Sequence, residues 1–312
     1  MPRVEKWPTG HGRASRPAAA LRALRIDGTV RRALGGNTNM HWLVDAGGDR
    51  LVLRRYGPGR SIPEVEWELE LQLRLAADGW RVPSPLSTPS VVGDHVWAVM
   101  SWVPGRRRRA RSETSRIDGQ RRRGRLLGEL HVAMQRHLDL GPRPGWTRID
   151  GWLDLREGGR TVDDVLDDPS LITPDAREVF KRYTHRARQW LDDAGASDLP
   201  LVIVHGDLNP GNVLYTPDGG VSVIDFDLGR VDLVGAEFAW APRRHPWAMV
   251  DGFSEVVSFS AKDRLALAPL SWIAVLDAVR RQVRWPSRSL PDSFTSEQEF
   301  LVNTPAGAFD KP

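Results

Sequence analysis

The hydrophobic pattern of this chain changes its period near Pro104 and Gly105, and this change constrains the fold more than any other feature. Before that point, apolar or alternating runs such as TVRRALGG, NMHWLVDAGG and DRLVLRRY are separated by glycine pairs, as strands joined by hairpins are. After it, apolar residues recur at the spacing of helices. We therefore predict an α+β fold of two lobes, with residues 1–104 in the first and residues 105–312 in the second.

The first lobe is predicted to be a small antiparallel β-sheet with one helix. The helix begins after Ser61 and carries Trp67, Leu71 and Leu75 at helical spacing before it stops by Gly79. The segment VVGDHVWAVMSWV predicts a further pair of strands at the end of this lobe.

The second lobe is predicted to be mainly helical. Two amphipathic faces are formed by Leu126, Leu127, Leu130, Met134 and Leu138, and by Val179, Phe180, Tyr183, Ala187, Trp190 and Leu191. A third helical stretch runs from about Lys262 to Val283, with Pro269 kinking it or dividing it in two. The ends of the chain, about residues 1–20 and 286–312, are predicted to be loosely structured.

The composition excludes several kinds of site. The chain has no cysteine, and this excludes disulfides, thiolate metal sites and cysteine nucleophiles. Its apolar runs are far too short to span a bilayer and its start lacks a signal peptide's apolar core, so we expect a soluble cytoplasmic protein. Ten arginines between Arg106 and Arg125 stand against Glu113 and Asp118. Such a run is typical of a solvated loop or helix face, and nucleic-acid binding is the less favoured alternative.

A polar loop between apolar runs carries the candidate chemistry, in the stretch LVIVHGDLNPGNVLYTPDGGVSVIDFD from residue 201. His205, Asp207 and Asn212 form H-x-D-x-x-x-x-N, and Asp225 follows after the turn TPDGG. A hairpin across that turn would bring Asp225 beside Asn212, and such oxygen ligands suit Mg²⁺. Asp207 would remain free to accept a proton from a substrate hydroxyl. The alternative is a plain hairpin with polar residues in its loop.

This pattern resembles the catalytic loop of protein kinases, and it is similar, more closely, to the aminoglycoside phosphotransferase and choline kinase superfamily. The signature of that superfamily reads much like HGDLNPGNVL followed by VIDFD. Gly206, where protein kinases usually have arginine, and the triplet Asp225-Phe226-Asp227 favour the small-molecule branch. The resemblance implies a bilobal, protein-kinase-like fold, with a nucleotide-binding first lobe and a helical second lobe that carries a catalytic β-hairpin.

The resemblance also implies a role for each residue of the loop. Asp207 would orient the acceptor hydroxyl and take its proton, and His205 would brace the loop. Asn212 and Asp225 would hold Mg²⁺ against the phosphates of ATP. Asp227 would bind a second metal ion or bond to neighbouring backbone.

The first lobe would supply the nucleotide contacts. The residues that the resemblance implies there are Gly35, Gly36, Asn37, Arg54, Glu68, Met100, Ser101 and Trp102. The glycines would cover the phosphates, or form no more than a turn. The segment from Met100 to Trp102 resembles the stretch that joins the lobes and meets adenine, and a buried edge strand is the alternative.

Arg54 stands where kinases place the lysine that holds the phosphates. An exposed strand arginine is the alternative reading of Arg54, and Arg55 is its neighbouring competitor. Glu68 would be the ion-pair partner of Arg54. Other glutamates lie close to Glu68 in the sequence, and all of them could simply solvate the helix: Glu64, Glu66 and Glu70.

The acceptor is predicted less directly than the chemistry. Acidic residues are concentrated between Asp150 and Asp168, and they would suit a cationic acceptor such as an aminoglycoside-like antibiotic or an amino alcohol. A solvated acidic surface that balances the arginine run is the alternative. Glu237 stands where the superfamily usually has a further aspartate.

Three functions remain open at this point. The first is an ATP- and Mg²⁺-dependent phosphotransferase whose partners are ATP and a small-molecule acceptor. The others are a nucleotide-binding pseudokinase or regulatory module, which Arg54 favours, and an arginine-rich nucleic-acid binder. The intact set of Asp207, Asn212 and Asp225 favours the first.

Overall fold

The computed structural model describes residues 17–36, 38–108, 112–156, 159–170, 174–193, 196, 198–240 and 245–282. The chain divides into two compact units. The first comprises Met1–Ala77 with Arg81–Val103, and the second comprises Asp78–Trp80 with Pro104–Pro312. Among the described residues, no helix combines the length and the apolar character needed to cross a membrane.

The first unit contains a five-stranded antiparallel sheet, and the strands predicted from the sequence are confirmed. The strands are β1 (Thr29–Gly35), β2 (Met40–Ala46), β3 (Asp49–Arg55), β4 (Ser90–Val92) and β5 (His95–Ser101). Their order across the sheet is β1-β2-β3-β5-β4. Strand β5 is apolar along most of its length because side chains on both of its faces are buried.

One face of this sheet packs on helix α2 (Ile62–Ala77), which confirms the helix expected after Ser61. Val65 and Leu69 of α2 form a core with Tyr56, Val96 and Met100.

The other face of the sheet packs on a second helix, α1 (Pro17–Ala23), which corrects two expectations. The first lobe was expected to have one helix, and residues 1–20 were expected to be loosely structured. Residues 17–20 instead belong to α1, because Ala20, Leu21 and Leu24 are buried against Trp97 and other apolar side chains of the sheet.

The second unit is mainly helical, as predicted. Its α-helices are α3 (Glu113–Gln135), α4 (Val162–Leu166), α5 (Pro174–Asp192), α6 (Pro246–Ser254) and α7 (Ala261–Gln282). Pro269 lies inside α7 without dividing it. The predicted apolar face of α5 is confirmed, since Phe180, Tyr183 and Ala187 are buried in the core that α7 shares. The pair Thr173-Pro174 is typical of a helix start; α5 begins at Pro174, and Thr173 lies outside the described residues.

Four short strands interrupt these helices, and two of them form the hairpin predicted across TPDGG. They are β6 (Leu201–Val204), β7 (Val213–Tyr215), β8 (Val221–Val223) and β9 (Arg230–Leu233). Strands β7 and β8 form the hairpin across TPDGG, but β6 pairs with β9. Apolar runs on either side of a loop do not specify their partners, and β9 carries buried charges that made it unlike a strand in the sequence.

Helices α3 and α6 approach closely through glycines. A Cβ atom on Gly124 would lie 1.9 Å from the carbonyl oxygen of Met249, and one on Gly252 would lie 1.9 Å from that of Arg121. At the far end of α3, the side chain of Gln135 bonds to both the N–H and the C=O of Ile203 in β6, at 3.0 and 2.9 Å. Helix α3 is therefore attached to the strand that precedes the polar loop.

Candidate active site

The polar loop that follows β6 is held by a buried carboxylate. Glu237, with 2% of its surface exposed, accepts hydrogen bonds from the backbone N–H of His205 and of Gly206, at 2.9 and 2.8 Å. Each carboxylate oxygen takes one N–H, so both donors are satisfied inside the core. The role that the sequence left open for Glu237 is thus structural support of the loop.

His205 and Gly206 show why the loop needs these residue types. His205 is fully buried, its Nδ1 accepts from the N–H of Asp207 at 3.3 Å, and its ring packs on Phe226. Gly206 has φ of 76°, and a Cβ there would lie 2.8 Å from the carbonyl oxygen of Leu228. The arginine that protein kinases carry at this position would therefore not fit the loop. The bracing role of His205 stays a prediction, and these contacts support it.

Two amides orient the carboxylate of Asp207. The Nδ2 of Asn209 donates to both oxygens at 2.9 and 3.0 Å, and the Nδ2 of Asn212 donates to Oδ2 at 3.2 Å. Burial raises the pKa of Asp207 above its ordinary value, although these amide hydrogen bonds oppose the rise. An oriented carboxylate with a raised pKa is suited to accept a proton. Asn209 was not singled out from the sequence.

The hairpin brings the predicted metal ligands together along the backbone. The carbonyl oxygen of Asn212 accepts from the N–H of Ile224 at 3.0 Å, which sets Asn212 beside the strand end that carries Asp225. Asp225 has φ of 67°, a left-handed conformation that is uncommon outside glycine and that often occurs at functional positions. Asp227 is buried at 9% exposure.

These three side chains fit Mg²⁺ by their chemistry. The amide nitrogen of Asn212 donates to Asp207, so its oxygen is the atom suited to a cation. Within the described part of the chain, no group of three or more His, Asp or Glu side chains gathers as a metal site. Mg²⁺ needs no such group, since it takes one or two carboxylates together with phosphate oxygens and water. Binding of the ion by Asn212, Asp225 and Asp227 stays a prediction.

Two buried arginines that the sequence reading missed support the segment after Asp225. The Nη1 of Arg143 donates to the carbonyl oxygens of Asp227 and Gly229, at 2.9 and 2.8 Å. Arg230 donates to Asp232 at 2.6 Å and to the carbonyl oxygen of Leu228 at 2.8 Å. No local pattern distinguishes Arg143 from the chain's other arginines, because its partners lie more than 80 residues away.

In the first unit, Arg54 and Glu68 form a buried ion pair at 2.9 Å, with 1% and 0% of their side chains exposed. The guanidinium also lies over the ring of Tyr56, and Gln72 donates to Glu68 at 3.2 Å. Arg54 is therefore not an exposed strand arginine. The expected partner is correct, and contact of either residue with a nucleotide stays a prediction.

The predicted phosphate-covering turn lies after β1. Gly35 and Gly36 have φ of 89° and 143°, and a Cβ on Gly36 would lie 1.7 Å from the carbonyl oxygen of Asn39. Glycine is therefore required at position 36 for the turn itself. Asn37 lies outside the described residues.

The predicted adenine segment lies at the end of β5. Met100 is buried in the core beneath α2. The N–H of Ser101 already donates to the carbonyl oxygen of Ser84 at 2.8 Å, so it is engaged within the fold. Trp102 follows the strand and is half-buried. The amide of Ser101 is thus less suited to the adenine edge, and contact of Trp102 with adenine stays a prediction.

A cavity of about 520 Å³ opens beside Asp207 within the second unit. One wall is a face of α3, whose residues reach the cavity at every third or fourth position. The α3 residues on this wall are Ser115, Arg116, Gly119, Gln120, Arg122 and Arg123. The other walls include the polar loop, Tyr215, Trp240 and Met249. The cavity gives a small molecule access to Asp207.

The acidic residues between Asp150 and Asp168 do not line this cavity, as far as the structure describes them. They are instead engaged locally. Ion pairs join Asp150 to Arg148, Asp154 and Asp163 to Arg188, Asp167 to Lys181 and Asp168 to Arg160. The carboxylate of Asp164 accepts a hydrogen bond from the backbone N–H of Thr161. Glu157 lies outside the described residues. The acidic segment therefore does not provide a cation-binding wall beside Asp207.

The start of the arginine run lies against the polar loop. The backbone of Arg106 pairs with that of Tyr215, and the Nε of Arg107 donates to the carbonyl oxygen of Gly211 at 2.8 Å. The guanidinium of Arg108 lies 4.5 Å from the centre of the Tyr215 ring. These arginines thus have a place in the fold that requires no nucleic acid.

The chain is similar to known kinases in sequence and in fold. A family model described as the phosphotransferase enzyme family (APH) matches residues 29–268. The homoserine kinase of Rhizobium etli is 27% identical over 256 residues, which cover 76% of this chain and 74% of that protein. An uncharacterized protein of Deinococcus radiodurans is 30% identical over 208 residues, covering 64% of this chain and 56% of that relative's length.

Among solved structures, that of a microcompartment-associated aminopropanol kinase matches with a TM-score of 0.67 at 20% sequence identity. The match covers 92% of this chain and 94% of that chain. At this level of identity the likeness concerns the fold alone. It confirms the α+β, protein-kinase-like fold expected from the sequence.

Proposed function

Because the chain belongs to the phosphotransferase enzyme family, we propose that it transfers the terminal phosphoryl group of ATP to a hydroxyl of a small molecule. The observation that carries this proposal is the state of Asp207. Its carboxylate is half-buried, is oriented by two amides and lies on the wall of a cavity large enough for a small acceptor.

In the proposed reaction, Asp207 binds the acceptor hydroxyl and receives its proton as the hydroxyl oxygen bonds to phosphorus. The bond between that phosphorus and the leaving oxygen of ADP breaks in the same displacement. Since the transition state of phosphoryl transfer is loose, positioning of the hydroxyl is the larger part of the role of Asp207. The hydrogen bonds from Asn209 and Asn212 support this role because they limit the orientations of the carboxylate.

We assign the metal site to Asn212 and Asp225, with Asp227 as the third candidate. When bound, Mg²⁺ supplies positive charge against the phosphate oxygens of the nucleotide. The hydrogen bond from Ile224 to Asn212 and the support of residues 226–229 by Arg143 keep this oxygen-rich segment in place.

We assign nucleotide binding to the first unit, through the turn at Gly35 and Gly36, through Arg54 with Glu68, and through Trp102. Arg54 keeps the positive charge of the usual lysine, and its ion pair with Glu68 holds the guanidinium in place. The pair supports the kinase over a pseudokinase, since Arg54 keeps the ion-pair partner expected of the usual lysine.

The test is phosphorylation of a panel of alcohols, with detection of the phosphate adduct by mass. The panel contains hydroxy amino acids, amino alcohols, sugars and aminoglycosides, each with ATP and with or without Mg²⁺. We expect Mg²⁺-dependent transfer to at least one acceptor, and a loss of about 10²-fold or more in Asp207→Asn. Unchanged unfolding of that variant is the control. A wild-type protein that binds ATP yet phosphorylates no acceptor would overturn the proposal.

A further inference from the structure

Helix α3 places one buried arginine on the wall of the cavity beside Asp207. Arg123 has 7% of its surface exposed and lines the cavity. Its Nη1 reaches the carbonyl oxygen of Gly119 at 3.4 Å, and its Nε has no hydrogen-bond partner in the described part of the protein. No described carboxylate pairs with it, whereas the buried Arg54 and Arg230 each have one.

A buried guanidinium that no described carboxylate balances is unfavourable. Burial lowers the pKa of Arg123, and the Tyr215 phenol opposes that effect only in part. Arginine nevertheless stays charged in proteins. A cation kept in this state on the wall of a cavity is suited to an anion that arrives from outside, which would supply the missing partner.

Most of the other charges on the cavity wall have the same sign. Arg108, Arg116 and Arg122 also line it, and Arg122 is exposed. Among the described residues, two carboxylates are on the wall. One is Asp207, and the other is Glu237, whose two oxygens are engaged by backbone N–H groups. The wall therefore favours negatively charged molecules.

We infer that the acceptor is an anionic alcohol, which places its hydroxyl at Asp207 and its carboxylate or phosphate group at Arg123. This inference rests on the proposed function and specifies its substrate class. It differs from the cationic acceptor that the acidic segment favoured, because the described carboxylates of that segment are engaged elsewhere. Arg116 is already paired with Glu113, so the exposed Arg122 is placed to attract the anion and Arg123 is placed to bind it within the cavity.

The test uses acceptors that differ in one anionic group. Homoserine and aminopropanol differ by a carboxylate, and glycerol phosphate and glycerol differ by a phosphate, so the two pairs distinguish the two anions. Binding is measured by calorimetry on the full chain without ATP, where no transfer can occur. We expect the anionic member of at least one pair to bind about 10-fold to 100-fold more tightly than its partner, as a hydrogen bond to a charged group allows.

Three variants test whether Arg123 is responsible. Arg123→Gln is expected to remove most of this preference without changing the affinity for the uncharged or cationic members. Arg123→Lys keeps the charge but loses the forked geometry, so it should retain part of the preference. Arg125→Gln is the matched control, because Arg125 is an exposed arginine of the same helix that pairs with Glu129. It should leave the preference unchanged.

The outcomes separate this inference from the proposed function. Phosphorylation of aminopropanol or glycerol at rates equal to those of the anionic partners would overturn the inference and leave the kinase proposal in place. A preference for anions that survives in Arg123→Gln would also overturn it. If Arg123→Gln does not fold, Arg123→Lys replaces it in this test. An Arg123→Lys protein that binds anions as tightly as the wild type would also overturn the inference. Binding of anions that depends on Arg123, without transfer to any acceptor, would support the anion site and refute the kinase.

Discussion

A single methyl group added to α3 at Gly124 is expected to separate α3 from α6. The new Cβ would lie 1.9 Å from the carbonyl oxygen of Met249 and 2.7 Å from its carbonyl carbon. Ordinary contacts begin at 3.4 Å, so the helices would have to part by about 1.5 Å. The opposing atoms are backbone, and no side-chain rotation can relieve the overlap.

The expected loss of stability follows from two opposed effects. Overpacking of this kind costs about 1–3 kcal/mol, and a backbone contact places Gly124→Ala at the upper end of that range. Alanine in place of glycine inside a helix returns about 1 kcal/mol. We therefore expect Gly124→Ala to lower the free energy of unfolding by about 2 kcal/mol.

Gly119 provides a matched control in the same helix. A Cβ on Gly119 meets nothing within 4 Å, so Gly119→Ala should gain about 0.5–1 kcal/mol from helix propensity alone. Replacement of glycine by alanine should thus raise the free energy of unfolding at position 119 and lower it at position 124. Urea unfolding followed by circular dichroism measures both. Equal effects of the two variants, or a Gly124→Ala protein as stable as the wild type, would refute the role of close helix packing.

Three further predictions concern the candidate site. Glu237→Ala leaves the N–H groups of His205 and Gly206 without their acceptor and should reduce stability by about 1–3 kcal/mol in urea unfolding, with loss of transfer activity. Arg54→Met leaves Glu68 as an unpaired buried charge and should lower the free energy of unfolding by about 3–5 kcal/mol. The double variant with Glu68→Leu should recover much of this loss, and no recovery would contradict the pairing. Transfer requires the base form of Asp207, and burial raises the pKa of this carboxyl above its ordinary value of 3.8. As the pH is lowered, kcat/KM should therefore begin to fall while the pH is still above 3.8. A fall that begins only below pH 3.8 would contradict this prediction.

Local signals in the sequence were sufficient for the elements and for the catalytic loop. The spacing of apolar residues and the positions of glycine pairs predicted the sheet strands and α2. These signals suffice because each element is determined by residues that lie close together in the sequence. The motif from His205 to Asp225 was recognisable because its residue types and spacing lie within one short stretch of the chain. Glu68 was chosen among neighbouring glutamates from the resemblance to the family, and the structure pairs it with Arg54.

Other features depended on contacts that are distant along the chain. The sequence did not indicate that β6 pairs with β9, since an apolar run does not specify its partner. It overlooked α1, whose apolar residues are buried only against the folded sheet. Nothing in the pattern separated Arg143, which donates to the backbone of Asp227, from the exposed arginines.

What the sequence by itself determined is the set of chemical groups: a histidine, aspartate and asparagine loop, a later aspartate, and a large excess of arginine in one segment. What only the tertiary structure decided is the electrostatic surrounding of these groups. The acidic segment is engaged in its own ion pairs, whereas Arg123 is buried on the wall beside Asp207 and no described carboxylate pairs with it. The effect of a charge depends on its burial and on its nearest opposite charge, and both are properties of the folded chain.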